Sequence, residues 1–158
     1  MIRALKRRRG EDASPEGLIA SFRAQVLLVG LLLTFAITGC RRFAAPSLVG
    51  TWTPVSAELG GHDFPVANFA GATLHLTDST YEFAGDTGTY AVLSVKEPAK
   101  MDIRGQAGPN AGRTIPAIFE VSAEQLTIGY QLGAGERPTE FASAKGEQIL
   151  IVNYTRVH

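Results

Sequence analysis

The segment Ala72-Thr73-Leu74-His75-Leu76-Thr77-Asp78-Ser79-Thr80-Tyr81-Glu82-Phe83 decides the fold class. Leu74 and Leu76 alternate with Thr73, His75 and Thr77, the two-residue period of a strand with one buried face. Thr77-Asp78-Ser79 carries side chains that hydrogen-bond nearby backbone, which suits a tight turn. Thr80-Tyr81-Glu82-Phe83 then resumes the alternation with residues that favour strands. Two short alternating runs around such a turn read as a β-hairpin.

The same grammar extends on both sides of this hairpin. Upstream, residues 48–57 form a first strand, and Pro54 within it marks an edge or a bulge because proline cannot donate to a ladder. Gly60-Gly61-His62-Asp63 is a turn, and residues 64–70 are a connector with room for one short helical turn. Downstream, Gly85-Asp86-Thr87-Gly88 is expected as a turn, followed by strands at 89–95 and 101–104 and a glycine-rich loop at 105–112. Residues 113–121 and 125–132 predict a hairpin around Ser122-Ala123-Glu124, residues 133–138 a loop, and 148–155 the strongest strand of the chain. About eight strands, with turn signals every 8–12 residues or so, predict an all-β antiparallel sandwich or barrel. A closed barrel would leave no free edge, and its inner face can surround a small cavity.

The N-terminal third follows different rules. Residues 26–38 carry no charge and end in Ile37-Thr38-Gly39, followed by Cys40, the single cysteine of the chain. As a helix this run would span about 20 Å, short of the ~30 Å hydrocarbon core of a bilayer. Lys6, Arg7, Arg8, Arg9 and Arg23 precede it, which matches the basic region and apolar core of an export signal. An aliphatic residue, two small residues and a cysteine resemble the bacterial lipobox. That resemblance implies cleavage before Cys40 and acylation of its thiol and new amine. At ~0.8 kcal/mol per buried methylene, two or three chains anchor a protein firmly. A plain secretory signal or an uncleaved anchor are the alternatives. Glu11, Asp12 and Glu16 interrupt the basic region, and Arg41 and Arg42 place positive charge just past the cysteine, against the usual orientation bias. The expected organisation is a signal over 1–39, a lipidated Cys40 with a tether over 40–47, and a domain over 48–158.

The 158 residues have zero formal net charge, unevenly placed. Residues 1–24 hold six basic and three acidic side chains, and residues 41–158 hold nine and twelve. The domain is therefore mildly acidic, and no basic patch points to nucleic acid. One cysteine allows no internal disulfide, so the core must hold by burial alone.

Chemistry-bearing residues are sparse in pattern. His62, His75 and His158 are scattered, with no metal-ligand spacing. No nucleophile elbow or phosphate-binding loop is present. Tyr81, Tyr90, Tyr130 and Tyr154 offer phenols either to a ligand or to a satisfied core. Asp102 and Arg104 share one strand face, expected to point outward, opposite Met101 and Ile103. Neither an enzyme activity nor a cofactor or metal is expected from these residues.

Leu48-Val49-Gly50-Thr51-Trp52 resembles the opening motif of a lipocalin-like domain family of uncharacterised exported proteins abundant in planctomycete bacteria. Further pieces match in order: Gly88-Thr89-Tyr90, Pro98-Ala99-Lys100-Met101-Asp102-Ile103, and Gly108-Pro109 with Gly112, Thr114, Ile115, Ile118 and Phe119. Leu126-Thr127-Ile128-Gly129-Tyr130 and Arg137-Pro138-Thr139-Glu140-Phe141 complete them. The resemblance covers most of residues 48–156 and implies a small barrel of eight or so strands, with no known ligand. In such a barrel, Gly50 turns the chain into the floor and Trp52 plugs it. Arg137 stacks on Trp52 or pairs with a carboxylate near the closed end. Leu74, Leu76, Ile103, Ile118, Leu126 and Leu150 are the interior candidates, and an interior packed solid with them would rule out a ligand cavity. Two functional readings follow for an exported, membrane-anchored protein of the cell envelope. One is a barrel that binds a small apolar or amphipathic ligand. The other is a side-chain-filled barrel that contacts an envelope protein partner, with a hydrolase as a weaker third.

Overall fold

The computed structural model describes residues 47–158; Cys40 and the segment around it lie outside the described residues. Among the described residues, nine strands run in chain order: β1 (Gly50–Leu59), β2 (His62–Asp63), β3 (Leu74–Leu76), β4 (Thr80–Phe83), β5 (Asp86–Ser94), β6 (Ala99–Ala107), β7 (Thr114–Val121), β8 (Gln125–Gln131) and β9 (Ile149–Arg156). A single 3-10 turn, Val66–Phe69, interrupts the connector between β2 and β3. These strands pair with one another antiparallel throughout, and β1 pairs with both β3 and β9. Eight strands thus close an up-and-down barrel, with the two-residue β2 appended to β1. Closure satisfies the backbone groups of both edges that an open sheet would expose. Among the described residues, no helix is long and apolar enough to cross a membrane.

Alternation sorts the side chains. Trp52, Leu74, Leu76, Tyr81, Met101, Ile103, Ile115, Phe119, Leu126, Ile128, Val152 and Tyr154 belong to one buried cluster inside the barrel. Pro54 sits at a bulge, where the β1–β9 register shifts between Pro54 and Ser56. The extra residue accommodates the missing proline donor without opening the barrel.

Three expectations need correction. Gly85-Asp86-Thr87-Gly88 is not a four-residue turn. Phe83 pairs with Asp86, and the turn is Ala84-Gly85 alone, both residues at positive φ. Two such residues make the primed hairpin turn whose twist matches its strands, so Asp86 becomes the first residue of β5. The glycine-rich loop is also shorter than expected, because β6 continues to Ala107. Gly105 stays in the strand while the loop folds back onto it. A Cβ on Gly105 would lie 1.9 Å from the Asn110 carbonyl oxygen.

Ile118 is the third correction. It is fully buried but lies on the outer face of β7, one residue out of step with the inward Ile115, Ala117 and Phe119. Its cover is the long connection between β8 and β9, residues 132–148. A Cβ on Gly129 would touch both Ile118 and Phe141 of that connection, and the Ser143 hydroxyl donates to the Ile149 carbonyl at 2.8 Å. The connection is therefore a strap that buries a second apolar layer outside the barrel wall.

Candidate functional site

The two ends of the barrel differ. At one end, Trp52 is fully buried and its indole N–H donates to the Leu48 carbonyl at 2.8 Å. Arg156, paired with Trp52 across β1 and β9, lies over the indole ring at 4.0 Å. Its guanidinium also donates to the carbonyls of Ser47, Val49 and Ala123. Gly50 makes room for this: a Cβ there would stand 2.5 Å from an Arg156 nitrogen. The end is closed by an aromatic plug with a cation clamped above it.

Arg137 is elsewhere. It lies on the outer wall, where it donates to the carbonyls of Met101 and Ala117 and pairs with Asp102 at 2.5 Å. The arginine over Trp52 is thus Arg156, and Arg137 instead pins the strap to β6 and β7. Asp102 points outward, and its partner is Arg137 rather than its neighbour Arg104. Arg156 was legible in principle: it stands two residues after the inward Tyr154, so alternation carries it to the inner face at the strand end.

Toward the other end the interior is not filled. A cavity of about 240 Å³ is walled by Leu74, Leu76, Met101, Ile103, Ile128 and Val152, together with four tyrosines and Phe83. Its mouth lies at Asn110, Arg113 and Leu132, which belong to the loops opposite the Trp52 end. Phe64, Phe69 and Phe83 form a ladder of ring contacts at 5.5 and 5.2 Å, and Phe83 meets the Tyr154 ring at 6.2 Å. This ladder links the β2–β3 connector to the cavity wall. A dry apolar cavity of ~150 Å³ accommodates benzene, whereas drug-sized sites start near ~300 Å³. The space therefore suits a compact molecule, a little larger than a single aromatic ring.

The polar groups of the cavity are few and specific. The Tyr130 and Tyr154 hydroxyls are 2.9 Å apart. The Tyr81 hydroxyl donates to Asp86 at 2.9 Å, and Asp86 also accepts from the Asn110 backbone and side-chain amides at 3.1 and 2.8 Å. Arg113 donates to the Asn110 side-chain oxygen at 2.9 Å and to the Leu132 carbonyl. Asp86 is thereby the clamp that holds the β6–β7 loop over the mouth. Tyr90 donates to the Thr77 carbonyl at 2.6 Å, away from the other three phenols.

Burial pushes the Tyr130 and Tyr154 phenols above the ordinary tyrosine value, because the ionised form would lose its hydration. Tyr81 is raised by burial and then by its bond to the Asp86 carboxylate, and Tyr90 by burial and then by Asp78. All four remain neutral donors at ordinary pH. The unfolded chain releases these protons near pH 10, whereas the folded barrel retains them. Stability should therefore be full below about pH 10 and fall as pH rises beyond it, by about 1.4 kcal/mol per pH unit for each phenol that stays protonated in the fold. Urea midpoints taken between about pH 8 and pH 11 check this. The double variant Tyr130→Phe/Tyr154→Phe should fall less steeply, and equal slopes would refute the assignment.

The histidines take no part in the cavity. His62 is exposed in β2, and His158 pairs with Glu124 at 2.6 Å on the surface. His75 bridges the hydroxyls of Thr51 and Thr73 at 3.0 and 2.9 Å. Among the described residues, no three metal-ligating side chains converge. A larger cleft of about 630 Å³ lies along the strap, but it is open and lined mostly by polar residues such as Gln131, Glu136 and Glu147. Comparison with known proteins finds no matching family model, no matching curated protein and no matching solved structure.

Proposed function

We propose that residues 48–158 are a lipocalin-like binding module that holds a small, largely apolar molecule inside its barrel, at the cell envelope. The observation that carries this reading is the cavity of about 240 Å³ inside the barrel, apolar along its walls and closed at the Trp52 end. A barrel selected only as a solid scaffold gains from filling such a space, since each unfilled methyl-sized void costs about 1 kcal/mol. Binding rather than catalysis is favoured because the cavity phenols are held protonated and all three histidines lie outside it.

A thermal-shift series on the full chain tests the reading. A compact aromatic probe such as ethylbenzene should raise the melting temperature, because saturating a site a hundredfold above Kd adds about 2.7 kcal/mol. Val152 is fully buried on the cavity wall. The variant Val152→Phe places a ring in the cavity and should abolish the shift. A wild-type protein indifferent to every compact apolar probe would reject the binding module and favour the scaffold reading, in which the surface meets an envelope protein.

The placement rests on residues 26–40. We propose that the chain is exported and held at the membrane by lipid on Cys40, as the lipobox-like sequence implies. Cys40→Ser should abolish incorporation of labelled palmitate and move the protein to the soluble fraction of its host. If fractionation does not change, the lipid is not the anchor and the apolar run itself holds the chain.

A further inference from the structure

The hydroxyl pair on the cavity wall carries more than a lining role. Tyr130 and Tyr154 stand diagonally on β8 and β9. Tyr130 is opposite Leu150, Tyr154 is opposite Leu126, and the Ile128–Val152 pair lies between them. Their oxygens meet at 2.9 Å above that pair. Two phenols hold two protons, and their mutual bond uses one of them, whichever is the donor. Neither hydroxyl makes another hydrogen bond among the described residues. Tyr154 is 1% exposed, so its hydroxyl is out of reach of bulk water, and Tyr130 is half-buried on the cavity wall. One O–H donor therefore faces the cavity unspent, in surroundings where a hydrogen bond is strong and an unmade one is costly.

The charges around the cavity decide what can accept that proton. Asp86 is the one carboxylate among the lining residues, and it is 8% exposed. It already receives three donors from Tyr81 and Asn110. The one cation, Arg113, is exposed at the mouth and engaged with Asn110 and the Leu132 carbonyl. An anion at the phenol pair would be buried with no cation beside it and with Asp86 in the same cavity. Such a burial is strongly unfavourable. A neutral oxygen pays far less desolvation and gains the bond.

Resting on the reading that the cavity is a ligand site, we propose that the Tyr130–Tyr154 pair recognises an uncharged hydrogen-bond acceptor. The ligand class is a compact apolar molecule bearing one carbonyl-type oxygen, bound with that oxygen inward. Fatty carboxylates and other anions are excluded from this orientation.

Three probes of nearly equal shape test the proposal on the full chain: acetophenone, ethylbenzene and benzoate. Binding is read from the methyl resonances of Ile128 and Val152, which sit beneath the hydroxyl pair and do not report probe taken up by detergent. Wild-type protein should bind acetophenone at least as tightly as ethylbenzene, and benzoate at least tenfold more weakly. In Tyr130→Phe/Tyr154→Phe, which keeps the apolar shape, ethylbenzene affinity should hold while acetophenone weakens by about tenfold, the size of one hydrogen bond. The carbonyl stretch of acetophenone bound to wild-type protein should move to lower wavenumber than in hexane, a readout that needs no variant. An unshifted stretch, or an acetophenone-to-ethylbenzene ratio equal in both proteins, overturns the recognition role and leaves the binding module standing. Benzoate bound as tightly as acetophenone overturns the exclusion of anions. If no probe moves either methyl, the cavity reading fails together with this one.

Discussion

Trp52→Ala is expected to lower the unfolding free energy by about 3–5 kcal/mol, the usual cost of deleting a fully buried indole. Out of the roughly 5–15 kcal/mol that holds a domain of this kind together, that loss brings the barrel near unfolding at growth temperature. The reason is local. Trp52 has no exposed surface, its N–H satisfies the Leu48 carbonyl, and its ring supports the Arg156 guanidinium at 4.0 Å. Removing it leaves a cavity, an unpaired carbonyl and a cation without its ring face. Urea denaturation measures the effect as a lower midpoint at unchanged slope. A double-mutant cycle with Arg156→Met should return a coupling of about 1 kcal/mol or more, as expected for a partly desolvated cation over an indole. A loss below about 1 kcal/mol for Trp52→Ala would show that the closed end contributes little to holding the barrel together.

Arg137→Ala is expected to cost about 2–3 kcal/mol. Breaking a fully buried ion pair from one side costs about 3–5 kcal/mol. This pair retains 20% and 24% of its side-chain exposure, which lowers the figure. The deletion strips two carbonyls, those of Met101 and Ala117, of a charged donor and leaves Asp102 alone on the wall. It also frees the strap that covers Ile118. Hydrogen exchange should then rise in residues 132–148 before it rises in β6 and β7, since local opening precedes global unfolding where contacts are few. Adding Asp102→Asn to Arg137→Ala should recover part of the loss, because the uncompensated charge is gone. Equal stability of the single and double variants would mean that the carbonyl bonds, not the ion pair, carry the effect.

Alternation around Ala72–Phe83 led to the correct hairpin because side-chain period is a local property of extended backbone. The bulge at Pro54 was legible for the same reason: a missing N–H is written in the residue type. Asp86 was misplaced because Gly85-Asp86-Thr87-Gly88 has turn composition, while the actual turn uses Ala84 at positive φ, which composition does not signal. Ile118 was placed inside because it is apolar. One face of a strand is normally wet, so its outward burial requires the strap, and the strap has no period of its own. Arg137 and Arg156 are both arginines within reach of the right elements. Alternation brings Arg156 to the inner face, and the register of β9 against β1 sets it opposite Trp52.

The site shows the same division. The four tyrosines were visible as candidate phenols, but their separation in sequence says nothing of distance. Tyr130 and Tyr154 meet because β8 and β9 pair with Leu126 opposite Tyr154 and Tyr130 opposite Leu150. By itself the sequence determined an all-β chain of about eight alternating strands behind an apolar run that ends in a cysteine, because those signals reside in neighbouring residues. Tertiary structure alone decided that the strands close, that a cavity of about 240 Å³ remains within them, and that the Tyr130 and Tyr154 hydroxyls meet on its wall. Closure, cavity volume and the meeting of two hydroxyls all depend on register between strands distant along the chain. Local periodicity carries no information about that register.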